Sequence, residues 1–249
     1  MKRPLSGRTV VVTRPRGACG TLAASLRARG ARVIFAPLIR TMAPRSWRPL
    51  DSALNHLEQY DAVIFASANA AAFVFARIKK IFKTRPPAPA IVAAVGPSTA
   101  KALCAGGWNC TFVADDNRAA GLARELRLPR GTRVLIPRAA GGLDVLPQAL
   151  KKAGLHVTTP TAYRTVADAR GRRVLGRALA SGVDAVCFAS GSAVAALGGR
   201  GLKGAAAIAI GPTTAAALKK AGLPPAATAL KPDAESFAKS VEDALRNRP

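Results

Sequence analysis

Four short turns carry the hydroxyls best placed for chemistry. Phe65-Ala66-Ser67, Gly96-Pro97-Ser98-Thr99, Phe188-Ala189-Ser190 and Gly211-Pro212-Thr213-Thr214 each end an apolar run and open an Ala-rich stretch. In an open α/β sheet that junction is where backbone amides at a helix N-terminus point outward, so a hydroxyl beside them can grip a carboxylate or phosphate. Ser and Thr at such places also cap helices, and the sequence leaves both roles open. Arg14 and Arg138, each just after an apolar run, are the cations best placed to join such a site. Tyr163 offers a phenol, useful as a proton donor or as a structural hydrogen-bonder; Tyr60 is expected to pack under a strand. Lys79, Lys80, Lys83, Lys151, Lys152, Lys219 and Lys220 follow helical stretches and read as solvated helix faces or ends.

Other chemistries lack their residues. Arg16-Gly17-Ala18-Cys19-Gly20 and Gly141-Gly142-Leu143 follow apolar runs, but neither is a dinucleotide fingerprint, and no P-loop is present. No serine sits in a nucleophile elbow. No acidic residue occurs in the first fifty positions, which hold 11 basic ones, so a hydrolase built on paired carboxylates is hard to assemble. Cys19, Cys104, Cys110 and Cys187 form no CxxC pair, and His56 and His156 stand alone, so free thiols are expected and no metal site. The net charge of +25 sets up a field that attracts polyanions without naming one. Aromatic residues are only 5%, which argues against stacking platforms for single-stranded nucleic acid. No apolar stretch is long enough to span a membrane and no signal peptide is read, so a cytoplasmic protein is expected.

The elements that must position these residues come in duplicate. Residues 10–41 match 134–165 without a gap, placing Arg14 on Arg138, Gly30 on Gly154, Arg40 on Arg164 and Thr41 on Thr165. Residues 61–73 match 184–196, placing Ser67 on Ser190; residues 94–103 match 209–218, placing Thr99 on Thr214. Each block has the grammar of a strand feeding a helix. In the first, Leu22 and Leu26 lie one turn apart, Arg27 and Arg29 face outward and Gly30 closes the helix. Pro97 and Pro212 suit a first helical position. Near-continuous apolar strands alternating with helices predict an α/β fold: two similar domains of parallel sheet flanked by helices. The equivalent crossings at residues 37–41 and 161–165 suit a chain that leaves one domain, builds a second and returns.

Together, Thr13-Arg14-Pro15, Phe65-Ala66-Ser67-Ala68-Asn69-Ala70, Val95-Gly96-Pro97-Ser98-Thr99-Ala100, Ala162-Tyr163-Arg164-Thr165 and Ile210-Gly211-Pro212-Thr213-Thr214-Ala215 resemble the uroporphyrinogen-III synthase family, in order over nearly the whole chain. The resemblance implies two domains joined by a two-stranded linker, with a cleft between them. Domain 1 would comprise residues 1–37 and 167–249, domain 2 residues 42–161, and the linker 38–41 and 162–166. It also implies a cofactor-free lyase that cyclises linear hydroxymethylbilane, an octa-carboxylate, with loss of water and inversion of ring D, in tetrapyrrole (haem) biosynthesis. Tyr163 would then assist departure of the hydroxyl, while Arg14, Ser67, Asn69, Thr99, Arg138, Ser190 and Thr214 bind substrate. A monomer is expected, with no membrane partner and no nucleic acid beyond non-specific charge attraction. The rival readings are a non-catalytic two-lobed anion binder and a basic nucleic-acid-associated protein.

Overall fold

The computed structural model describes residues 3–15, 20–116 and 118–246 of the 249-residue chain. The Arg16-Gly17-Ala18-Cys19 segment lies outside the described residues. Two compact units are formed, one from Met1–Arg40 with Val166–Pro249, the other from Thr41–Thr165.

The chain starts unit 1 with β1 (Thr9–Val12), α1 (Gly20–Ala28) and β2 (Arg32–Phe35), then crosses through β3 (Ile39–Met42). Unit 2 follows as α2 (Arg48–Asn55), β4 (Ala62–Phe65), α3 (Ala68–Ile81), β5 (Ile91–Ala94), α4 (Pro97–Ala105), β6 (Phe112–Val113), α5 (Ala119–Glu125), β7 (Arg133–Leu135), β8 (Arg138–Ala139), α6 (Val145–Lys152) and β9 (His156–Thr158). The chain returns through β10 (Thr161–Ala167) and completes unit 1 with α7 (Ala169–Ala180), β11 (Ala185–Phe188), α8 (Gly191–Ala195), β12 (Ala206–Ala209), α9 (Pro212–Lys220), β13 (Ala227–Thr228) and α10 (Ala234–Arg246).

Each unit holds a five-stranded parallel sheet, ordered β13-β12-β11-β1-β2 in unit 1 and β6-β5-β4-β7-β9 in unit 2. The sequence repeats map these orders onto each other strand for strand. The first two strands of either repeat therefore share a sheet with the last three of the other, so each unit is a reciprocal exchange between the two copies. The chain changes unit after the second strand of each repeat, through β3 and β10, which neighbour each other in a three-stranded sheet completed by β8.

Burial explains why these strands read as continuous apolar runs. In unit 1, Val10 and Val12 face a core with Leu22, Leu26 and Phe237 from α1 and α10. Val11 faces the opposite layer, with Leu175, Val194 and Leu218 from α7, α8 and α9. Unit 2 repeats the plan: Val63 and Phe65 pack with Leu54, Val74 and Leu103 on one face, Ala62 and Ile64 with Leu122 and Leu150 on the other. Gly30 and Gly154, repeat equivalents, follow α1 and α6 with φ of +97° and +85°, a left-handed conformation that glycine adopts without steric cost.

One expectation changes. Arg29 does not face solvent: its guanidinium bonds Glu235 and Glu242 of α10, because α10 covers that side of α1. Arg138 follows β7 and lies in the short strand β8, whose backbone pairs with β10. Tyr60 packs half-buried against the core beside α2, with the Arg133 guanidinium 6.0 Å from its ring centre. Cys104, Cys110 and Cys187 are free thiols, and burial pushes the Cys110 thiol up.

Candidate functional site

In both sheets the strand order reverses direction once. In unit 1, β1 runs on through α1 to β2 on one side, while β11 runs through α8 to β12 on the other. The reversal in unit 2 lies between β7 and β4. Neighbouring connections there pass to opposite faces, leaving a crevice outside the carboxyl ends of the two strands, where open α/β sheets bind ligands. Sequence places Thr13-Arg14 and Ala189-Ser190 at the unit 1 reversal, and Ile136-Pro137 and Ala66-Ser67 at that of unit 2.

Ser67 and Ser190 are matched helix caps. Both have extended backbone, φ −161° and −166°, and each Oγ accepts a 3.2 Å hydrogen bond from the amide three residues on, Ala70 or Ala193. The next helices differ. Gly96 and Gly211 offer no side-chain cap to α4 and α9, and Pro occupies the first helical position of each. The first-turn amides of α4 and α9 thus keep their positive end of the helix dipole without an internal side-chain acceptor. Thr99 and Thr214, third in those helices, are 4% exposed, and among the described residues neither hydroxyl has a hydrogen-bond partner.

Unit 2 adds what unit 1 lacks. Tyr163 Oη lies 3.1 Å from Ser67 Oγ, and the tyrosine ring stacks on Phe73 of α3 with centroids 5.6 Å apart. The Tyr163 carbonyl accepts from the Ala140 amide at 2.8 Å, so β8 pins the backbone while α3 pins the ring. In the repeat, Ile39 stands at the place of Tyr163 and Ala196 at that of Phe73. The aromatic pair is therefore confined to one unit. That asymmetry, visible in the aligned repeats, is the signal that could have picked out Phe73 from sequence.

The remaining candidates are placed less alike. Asn69 is exposed in the first turn of α3. Arg14 is exposed and lines a cavity of about 150 Å³ with Thr21, Leu22, Ala189 and Ile210. Arg138 is turned onto its own loop, where it bonds the Gly142 carbonyl and pairs with Asp144 at 2.5 Å. Among the described residues, no cluster of His, Cys, Asp or Glu is placed to hold a metal ion, and no helix is long and apolar enough to cross a membrane.

A duplicated, doubly wound α/β protein with hydroxyl-bearing helix N-termini at two strand-order reversals belongs to the class of folds whose sheet crevices offer amides and hydroxyls to small acidic ligands. Comparison with known proteins narrows this. Residues 20–239 match the family model for uroporphyrinogen-III synthase HemD. The uroporphyrinogen-III synthase of Synechococcus elongatus is 36% identical over 166 residues, 66% of this chain and 63% of that one. That of Salmonella typhimurium is 32% identical over 162 residues, 64% and 65% of the two chains. The matched stretch spans somewhat under two thirds of the length of these curated relatives. Solved uroporphyrinogen-III synthases share the fold. One from Thermus thermophilus aligns with a TM-score of 0.66 at 22% identity, over 97% of this chain and 100% of that one. One from Helicobacter pylori gives 0.60 at 20%, over 93% and 97%. The chain belongs to the uroporphyrinogen-III synthase family.

Proposed function

We propose that the protein is a uroporphyrinogen-III synthase, a cofactor-free lyase that converts hydroxymethylbilane to uroporphyrinogen III and water. The observation that carries this reading is the Tyr163–Ser67 hydrogen bond, between a residue of β10 and the cap of α3, both inside the stretch that the family model matches. Ser67 Oγ accepts from the Ala70 amide. If its own proton goes to Tyr163 Oη, the phenol proton is left directed away from Ser67 and free for the departing hydroxyl of the substrate. The carbon–oxygen bond breaks as that hydroxyl takes the phenol proton and leaves as water. The adjacent pyrrole nitrogen supplies the electron pair, giving an azafulvene. Attack by the substituted carbon of ring D gives a spiro intermediate, whose opening and reclosure invert the ring. The proton released when the ring regains aromaticity replaces the one the phenol gave, so water is the only by-product.

Inversion competes with simple closure, so much of the catalysis is positioning. The amides and hydroxyls at the starts of α3 and α4, with Ser67, Asn69 and Thr99, take carboxylates of the substrate. Arg138 joins them only on leaving Asp144, with which it pairs; Arg14, Ser190 and Thr214 are the equivalent carboxylate-binding residues of unit 1. The protein acts as a cytoplasmic monomer, with nucleic acid held only by general charge attraction. The test is to incubate purified protein with hydroxymethylbilane and identify the isomer. Type III is expected; the spontaneous type I isomer alone overturns the reading and leaves a non-catalytic anion binder.

A further inference from the structure

A cavity of about 360 Å³ in unit 1 is lined by α7 and by the segment that follows α8. Leu175, Leu179 and Leu197 give it an apolar lining, and Arg172, Arg200 and Lys203 add three cations. No acidic side chain lines it, and among the described residues none of the three cations has an ion-pair or hydrogen-bond partner. Lys203 has φ +48°, a left-handed conformation that costs a lysine about 1 kcal/mol and that persists where the surroundings enforce it. On the same helix Arg170, Arg173 and Arg177 recur at helical spacing and add to the local positive potential.

The cavity is separate from the hydroxyl turns. Residues 197–203 join the end of α8 to the start of β12, which puts them at the amino edge of a parallel sheet whose carboxyl edge carries Ser190 and Thr214. Its volume falls in the range of small-molecule sites. A purely ionic ligand would gain nothing from the leucines, and a neutral apolar one nothing from the cations. We propose that this cavity binds a small amphipathic anion, a carboxylate or sulfonate bearing an apolar chain or ring. The apolar part is buried on the leucines and the acid group is held by Arg172, Arg200 and Lys203.

Anilinonaphthalene sulfonate titrated into the full chain is expected to fluoresce, and octanoate to displace it where octanol and inorganic phosphate at equal concentration do not. The variant R172Q/R200Q/K203Q is expected to weaken octanoate about tenfold, the sum of three partly exposed charge contacts. Gly176→Phe fills the cavity from a position where an added Cβ meets nothing within 4 Å, and is expected to abolish octanoate binding with the thermal midpoint preserved. Equal displacement by octanol or phosphate overturns the proposal, as does unchanged octanoate binding in either variant. Loss of binding on substituting Lys79 and Lys83, which line a different cavity with Phe75 and Ile78, also overturns it.

Discussion

Tyr163 Oη lies 3.1 Å from Ser67 Oγ, and the same serine oxygen caps α3 by accepting from the Ala70 amide. One hydroxyl thus fixes both the start of a helix and the direction of a phenol 96 residues away in sequence. Ser190 does only the first of these in unit 1. Tyr163→Phe keeps the stack on Phe73 and removes only the oxygen. It is expected to lower kcat by about 10²-fold, the scale of a lost general acid, with substrate KM little changed. Steady-state kinetics with the type III product quantified checks this; an unchanged kcat removes Tyr163 from the chemistry.

The two serine caps separate structure from function. Ser67→Ala and Ser190→Ala each forfeit a capping bond worth about 1 kcal/mol and are expected to lower the thermal midpoint alike. Only Ser67→Ala also releases the phenol, so its kcat is expected to fall further than that of Ser190→Ala. Equal effects of the two on kcat would mean that the contact with Tyr163 is incidental.

Thr99 and Thr214 are buried as residues, but no fully buried side-chain oxygen among the described residues lacks a partner, so their unpartnered hydroxyls reach the surface. Replacing such a hydroxyl by a methyl group of the same shape removes no internal bond and costs little. Thr99→Val and Thr214→Val are therefore expected to hold the thermal midpoint while raising KM several-fold, through loss of a contact to a substrate carboxylate. A fall in the midpoint with unchanged KM would assign both hydroxyls to structure.

Periodicity made the strands, the helices and the duplication legible, because sheets buried on both faces demand apolar runs whatever the neighbours. The Pro residues opening α4 and α9 were equally plain, since a first helical position tolerates the missing amide hydrogen. What sequence could not show is where long side chains turn. Arg29 and Arg138 look alike as cations near turns. Glu235 and Glu242, more than 200 residues distant, claim the first, and Asp144 in the next loop claims the second. Nor does local pattern show that Phe73 meets Tyr163: that contact depends on α3 and β10 packing together, and only the broken repeat symmetry hints at it.

Helix α7 offers a test of how tightly the segment after β2 is held. A Cβ on Gly171 would overlap the Pro37 carbonyl, whereas one on Gly176, in the same helix, meets nothing within 4 Å. Gly171→Ala is expected to destabilise by about 1–3 kcal/mol, the usual cost of overpacking. Gly176→Ala is expected to stabilise by about 0.5–1 kcal/mol through helix propensity. Opposite shifts in denaturant midpoint at constant slope check the pair; shifts of the same sign would mean that α7 does not press on Pro37.

Acid should loosen the packing of α10 on α1. Arg29 Nε bonds Glu242 at 3.3 Å, Arg246 and Lys239 reach the other carboxylate oxygen at 2.8 and 3.2 Å, and Glu235 also pairs with Arg29. The Arg29 bond holds the Glu235 carboxyl below its usual range. Burial pushes Glu242 up, but the bonds from Arg246 and Lys239 outweigh it and leave that carboxyl lowered too. With folded pKa values below the unfolded one near about 4.3, the unfolded chain binds more protons in that window, so stability rises with pH and is lost as pH falls through the folded values. The +25 charge adds a repulsion that acid worsens as carboxylates are neutralised, so the bare acid sensitivity of the midpoint does not isolate this cluster. Glu242→Gln does. Its carboxamide never ionises, so the gap in thermal midpoint between wild type and variant is expected to be widest near neutral pH and to close below about pH 4. A gap that stays constant across that range would mean that the Glu242 charge contributes nothing to holding α10 on α1.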